Sequence, residues 1–194
     1  MTRAAGPETH QVEEELTDRI GKINDEIEKF DARVNIWGAD RDSRFANVGT
    51  ELAEDRDMVV AAVRRVGVVA RDEWRQTAES VRTSVAQLEH EIETARADLE
   101  VELADDVDAF RAAAEGQVTS WKGYLDLLRL RAKLASMDAR DALETLESAY
   151  RAAQPELEGA RTAANAAFAA LRDSTRNTVI HLRQAARDAT TPRG

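Results

Sequence analysis

The chain has no cysteine, only three prolines and nine glycines in 194 residues, and aromatic residues make up 5% of it. Without cysteine there can be no disulfide framework, no thiolate nucleophile and no thiolate metal site. So few prolines and glycines leave little to punctuate a chain of short strands and turns. Long apolar runs are missing as well. The nearest, MVVAAVRRVGVVA at Met58–Ala70, is interrupted by Arg64 and Arg65 and falls well short of the roughly 20 apolar residues of a membrane span. It reads as a buried helix segment. The opening MTRAAGPETH has no apolar core of a signal peptide, so the expected location is the cytoplasm.

What is abundant is Ala, Arg, Glu, Asp and Leu, with 33% of residues charged. Strong helix formers carried over nearly the whole length predict an all-α protein. Formal net charge is −10, which disfavours general nucleic-acid binding. The charge is unevenly spread. Glu89–Asp108 is rich in acids, with Arg96 its lone base, whereas arginines outnumber acids in Gly159–Gly194.

Periodicity carries the fold prediction. Ile20, Ile23, Ile27, Phe30, Val34 and Trp37 alternate steps of three and four, placing them on one narrow stripe of a helix. Trp74, Ala78, Val81, Val85, Leu88, Ile92, Ala95 and Leu99 do the same. Leu99, Leu103 and Val107 then step by four twice, a local stutter, before Phe110, Ala114, Val118, Trp121, Leu125 and Leu128 resume. A last seam runs from Leu143 through Leu146, Tyr150, Leu157 and Phe168 to Leu171. No strand-period alternation interrupts them.

Two stretches of equal length, ARDEWRQTAESVRTSVAQL from Ala70 and ANAAFAALRDSTRNTVIHL from Ala164, lie 94 positions apart. At that offset Trp74 meets Phe168, Ser80 meets Ser174, Arg82 meets Arg176 and Leu88 meets Leu182. The apolar register stays in phase from Ile27 and Trp121 onward, so the pattern reads as a duplicated helical hairpin. The expected architecture is an elongated antiparallel helical bundle or coiled coil of about four long helices. Residues 1–9 and 191–194 form tails, 10–115 unit one and 118–190 unit two. Two segmentations fit. One breaks near 56–61, at Gly116 and at Pro155, the last taken as the first turn of a new helix; the other breaks first at Gly38–Asp42.

Chemistry-bearing patterns are scarce. His10 falls in the expected tail, and His90 and His181 lie off the apolar stripes, without the Glu-x-x-His pairing of a bundle metal site. No catalytic, cofactor-binding or metal-ligating residue is expected, and the chain reads as non-enzymatic. Arg172, Arg176, Arg183 and Arg187 share one helix face and are candidate interaction residues, either for a phosphate-bearing surface or for the acidic Glu89–Asp108 region. Large aromatics are expected in the core, while Trp37 and Phe45, among charged neighbours, are candidates for a partner-facing patch. Alanine-rich seams bury little area each, so a homodimer is expected, with an unspecified protein partner, no nucleic acid, and a membrane surface as the alternative.

The segment SMDARDALETLESAYRAAQPELEGARTAANAAFAALRD resembles small bacterial coiled-coil proteins, in which a charged Ala/Glu/Arg helix precedes an Ala-rich arm opening on a small-small-x-aromatic-x-x-Leu pattern. ARDEWRQTAESV, with Trp74, echoes that arm, and Phe168 stands where the pattern carries tryptophan. A looser likeness to exchangeable apolipoproteins lacks their regular prolines, since Pro7, Pro155 and Pro192 cannot punctuate repeats. Neither resemblance implies a reaction.

Overall fold

A computed structural model describes residues 7–37, 43–66, 73–132, 137–162 and 168–190. Among them are six α-helices and no strand: α1 (Pro7–Trp37), α2 (Ser43–Val66), α3 (Trp74–Leu103), α4 (Val107–Ala132), α5 (Met137–Arg161) and α6 (Phe168–Thr190). The all-α expectation holds. The count of four does not, because none of the breaks expected near 56–61, at Gly116 or at Pro155 occurs: each lies inside α2, α4 or α5. α1 already begins inside the stretch expected as a tail, at Pro7, a residue suited to a first helical turn because its missing N–H would have no intrahelical partner there. The alternative break at Gly38–Asp42 and the C-terminal tail lie outside the described residues. Two of the three pairs of helix starts recur at one interval, while Pro7 of α1 and Val107 of α4 are 100 positions apart. Ser43 of α2 and Met137 of α5 are 94 positions apart, as are Trp74 of α3 and Phe168 of α6.

The chain divides into two compact units, Met1–Ile92 and Glu93–Gly194. In the first, α1 and α2 run antiparallel: Arg56 reaches Asn24 Oδ1 at 3.4 Å, and Asp31 lies against Gly49. The α1 stripe behaves as its spacing predicts, with Ile20, Ile23, Ile27 and Phe30 buried. Val34 is only half-buried, and the side chain of Trp37 lies outside the described ones. The start of α3 runs parallel to α1, because Arg82 pairs with Glu15 at 2.9 Å and Glu89 with Arg19 at 2.7 Å. Met58–Val66 is amphipathic rather than buried all round. Val59, Val63 and Val66 face inward, while Met58 and both arginines are exposed.

In the second unit the chain reverses at Ala104–Asp106. Asp106 Oδ1 accepts the backbone N–H groups of Asp108 and Ala109, both at 2.8 Å, so it caps the first turn of α4. The 4,4 stutter at Leu103 and Val107 is thus a turn between helices and not an insertion within one. α4 and α5 run antiparallel, in a register set by Arg129–Glu147 at 2.7 Å and Arg161–Glu115 at 3.5 Å. α5 and α6 follow the same rule, with Ser174 donating to Glu156 at 2.8 Å. Leu146, Leu157 and Leu182 are wholly buried between them, each contributing about 1.5–3 kcal/mol relative to exposure. Pro155 sits on the exposed side of α5, where its ring meets solvent and not a neighbouring helix.

Candidate functional site

The end of α3 is unusual for a helix in this chain. Thr94, Ala95, Ala97, Asp98, Leu99 and Val101 are all buried, so more than one face is covered. An ordinary surface helix buries a single stripe. Here Val101 shares a core cluster with Phe110, Ala113 and Ala114 of α4 and Ala160 of α5.

That enclosure traps a polar network. Asp98 is buried, and its Oδ1 accepts a hydrogen bond from Gln117 Nε2 of α4. Gln117 is itself fully buried and its Oε1 accepts from Trp121 Nε1 at 3.1 Å. The other carboxylate oxygen, Asp98 Oδ2, lies 3.3 Å from Arg183 Nε of α6 yet receives no hydrogen bond. One turn further along α3, both oxygens of Glu102 accept from the Arg176 fork. Arginine suits this role because its planar donors match a carboxylate at two points. A charge-bearing seam therefore joins the end of α3 to α6, in antiparallel order: Asp98 with Arg183, Glu102 with Arg176.

The electrostatics follow from burial. Taking the Asp98 carboxylate out of water pushes its pKa up to about 6, against the opposing pull of Arg183 and of the Gln117 hydrogen bond, with Glu102 adding to the rise. The guanidinium of Arg176 is held further in its charged form by its hydrogen bonds to Glu102. Thr175, also on α6 and fully buried, and Tyr150, on α5, each carry a buried hydroxyl without a hydrogen-bond partner. Burial, with Glu158 nearby, raises the Tyr150 phenol.

The candidate interaction residues fall in different places. Arg176 and Arg183 point to Glu102 and Asp98. Arg172 lies over the Phe168 ring, 5.5 Å from its centroid, and the side chain of Arg187 lies outside the described ones. Phe45 is no exposed patch: it is buried in the first unit beside Phe30, with ring centroids 6.3 Å apart. His10 and His181 are exposed and His90 is half-buried. Among the described residues no group of three His, Asp or Glu could hold a metal ion, and no helix is long and apolar enough to cross a membrane.

Asp98, Gln117 and Trp121 were not singled out as a group by sequence. Asp98 counts there as one acid of nine, and Gln117 flanks a seam residue. The signal that could have found them is the run of small residues at Thr94, Ala95 and Ala97, which spread over more than one face of α3. No protein-family model, no curated protein and no solved structure matches the chain.

Proposed function

We propose that this chain is a non-enzymatic helical scaffold or adaptor that acts through coiled-coil contacts with a protein partner, a second copy of itself first of all. The observation that supports it best is the use of the interior. Apolar seams are spent on neighbouring helices, and Asp98, Gln117 and Trp121 of the second unit engage one another, an arrangement that selects helix register. The shared interval between the starts of α2 and α5 and of α3 and α6 supports an origin by internal duplication. The absence of cysteine suits the cytosol proposed as its compartment.

Self-association would draw on surface that the chain leaves uncovered. Ile36 near the end of α1 and Leu130 near the end of α4 are 86% and 61% exposed and stand 94 positions apart, one in each unit. Sedimentation velocity over a concentration series tests the reading. It expects a dimer that dissociates on dilution and is weakened by Ile36→Glu and Leu130→Glu. The alternative, a peripheral lipid-binding role for α6, has less support, because two of its four arginines are turned to internal carboxylates. A chain that stays monomeric at its highest concentration and floats with anionic vesicles would overturn the scaffold reading in favour of the lipid one.

A further inference from the structure

We propose that two copies of this chain exchange the end of α3, straightening α3 and α4 into one continuous helix. Residues 93–103 of each copy then fill the seat against α4, α5 and α6 of the other. The proposal rests on the scaffold reading in taking a second copy as the partner, and adds which segment the two share. What carries it is the turn at Ala104–Asp106. That turn has three residues and neither glycine nor proline, so its backbone is free to be helical. The apolar period also runs through it: Leu99, Leu103, Val107 and Phe110 fall on one side of a helix continued across the turn.

One side chain holds the turn closed. Asp106 Oδ1 accepts the N–H groups of Asp108 and Ala109. A continuous helix replaces both bonds with backbone ones, to the carbonyls of Ala104 and Asp105. Against it stand the acids. Glu102 with Asp105 and Asp106, and Asp105 with Asp108, come three or four residues apart in such a helix and repel one another. A cap and a set of like charges therefore separate the closed turn from the open one.

Exchange keeps the contacts that seat the end of α3. Each joins a residue before the turn to a residue after it. Asp98 meets Gln117 and Arg183, Glu102 meets Arg176, and Val101 shares a core with Phe110, Ala113, Ala114 and Ala160. Such pairs form equally well within one copy or across two, which makes exchange of an identical element a low-cost route to a dimer.

Two charge-reversed full-length variants, Glu102→Arg and Arg176→Glu, test it. Within one copy, each variant sets like charges face to face where the Glu102 carboxylate is nearly buried. In an exchanged pair with one copy of each, both α3 ends meet an opposite charge on the other copy's α6. Native mass spectrometry of the two variants refolded together should show the mixed dimer about tenfold or more above either like pair. A statistical mixture, or no dimer, overturns the proposal. Should the variants fail to fold even together, sedimentation velocity on single-site changes at the turn decides it. Asp106→Ala removes the cap and should strengthen dimerisation roughly tenfold. Asp105→Pro, which a continuous helix rejects, should abolish dimerisation while leaving the helix content of the monomer unchanged. A dimer that Asp105→Pro leaves intact and Ile36→Glu weakens overturns the exchange and keeps the scaffold reading. A parent that is monomeric at every concentration overturns both.

Discussion

Trp74 and Phe168 open α3 and α6 and stand 94 residues apart, each the first aromatic of an equivalent helix. Trp74 buries its Nε1 without a hydrogen-bond partner, and Phe168 packs edge-on against Phe110 at 5.4 Å. The tryptophan thus carries a polar atom that its surroundings leave unsatisfied. Trp74→Phe removes that atom along with some apolar area, and the two effects oppose. Urea denaturation should place the variant within about 1 kcal/mol of the parent.

Pro155 lies inside α5 and, having no N–H, removes the hydrogen bond that the Arg151 carbonyl would otherwise accept. In a helix that runs through, Pro155→Ala restores the bond and should stabilise the chain by about 1–3 kcal/mol. A residue opening a new helix would give little gain or a small loss. Thermal unfolding followed by circular dichroism separates the two.

Gly49 is buried where α2 meets α1, and a Cβ built there would overlap the Asp31 carboxylate. Gly49→Ala alone should therefore be destabilising, despite a helix-propensity gain of about 1 kcal/mol. Asp31→Ala clears the space and removes a carboxyl whose pKa is raised by burial. The double variant should be more stable than Gly49→Ala. A double-mutant cycle should return a coupling of about 1 kcal/mol or more.

Glu102 and Glu15 both hold an arginine at the same repeat position, Arg176 and Arg82, yet only Glu102 has a nearly buried side chain. Glu102→Gln should cost about 1–3 kcal/mol, because it weakens a two-point pair in low dielectric. Glu15→Gln should cost less than about 1 kcal/mol and fade with added salt. Denaturant titrations at low and high ionic strength measure both.

The helical character was legible because Ile20, Ile23, Ile27 and Phe30 follow the helical period and all become buried. The recurrence at 94 was legible for the same reason, since Trp74 and Phe168 mark the starts of real helices. The breaks were not. Pro155 is a strong stop signal locally, but on the exposed side of α5 its ring meets no neighbour, and the packing of Leu146 and Leu157 on α6 holds the helix together on both sides of it. Gly116 is likewise tolerated, with open space around the place a Cβ would occupy. The true reversal sits at Asp106, where a capping carboxylate was hidden among other acids.

The polar network was less legible than the fold. Spacing tells which residues share a stripe, and Asp98 lies off the seam of Leu99 and Ala95. Its burial comes from the second and third neighbours that wrap the end of α3, a property of tertiary arrangement that the local period does not contain. Phe45 shows the converse. Its charged neighbours suggested exposure, yet the ring faces Phe30.

Arg176 and Arg183 have a consequence for how α6 presents itself to polyanions. Counted along the chain, the last 36 residues look cationic enough to cling to heparin or a nucleic acid. Folded, two of those cations are quenched by α3 and leave the helix's outer side closer to electrical balance. A heparin column should hold the native chain far less firmly than a peptide of identical sequence cut from its C-terminus.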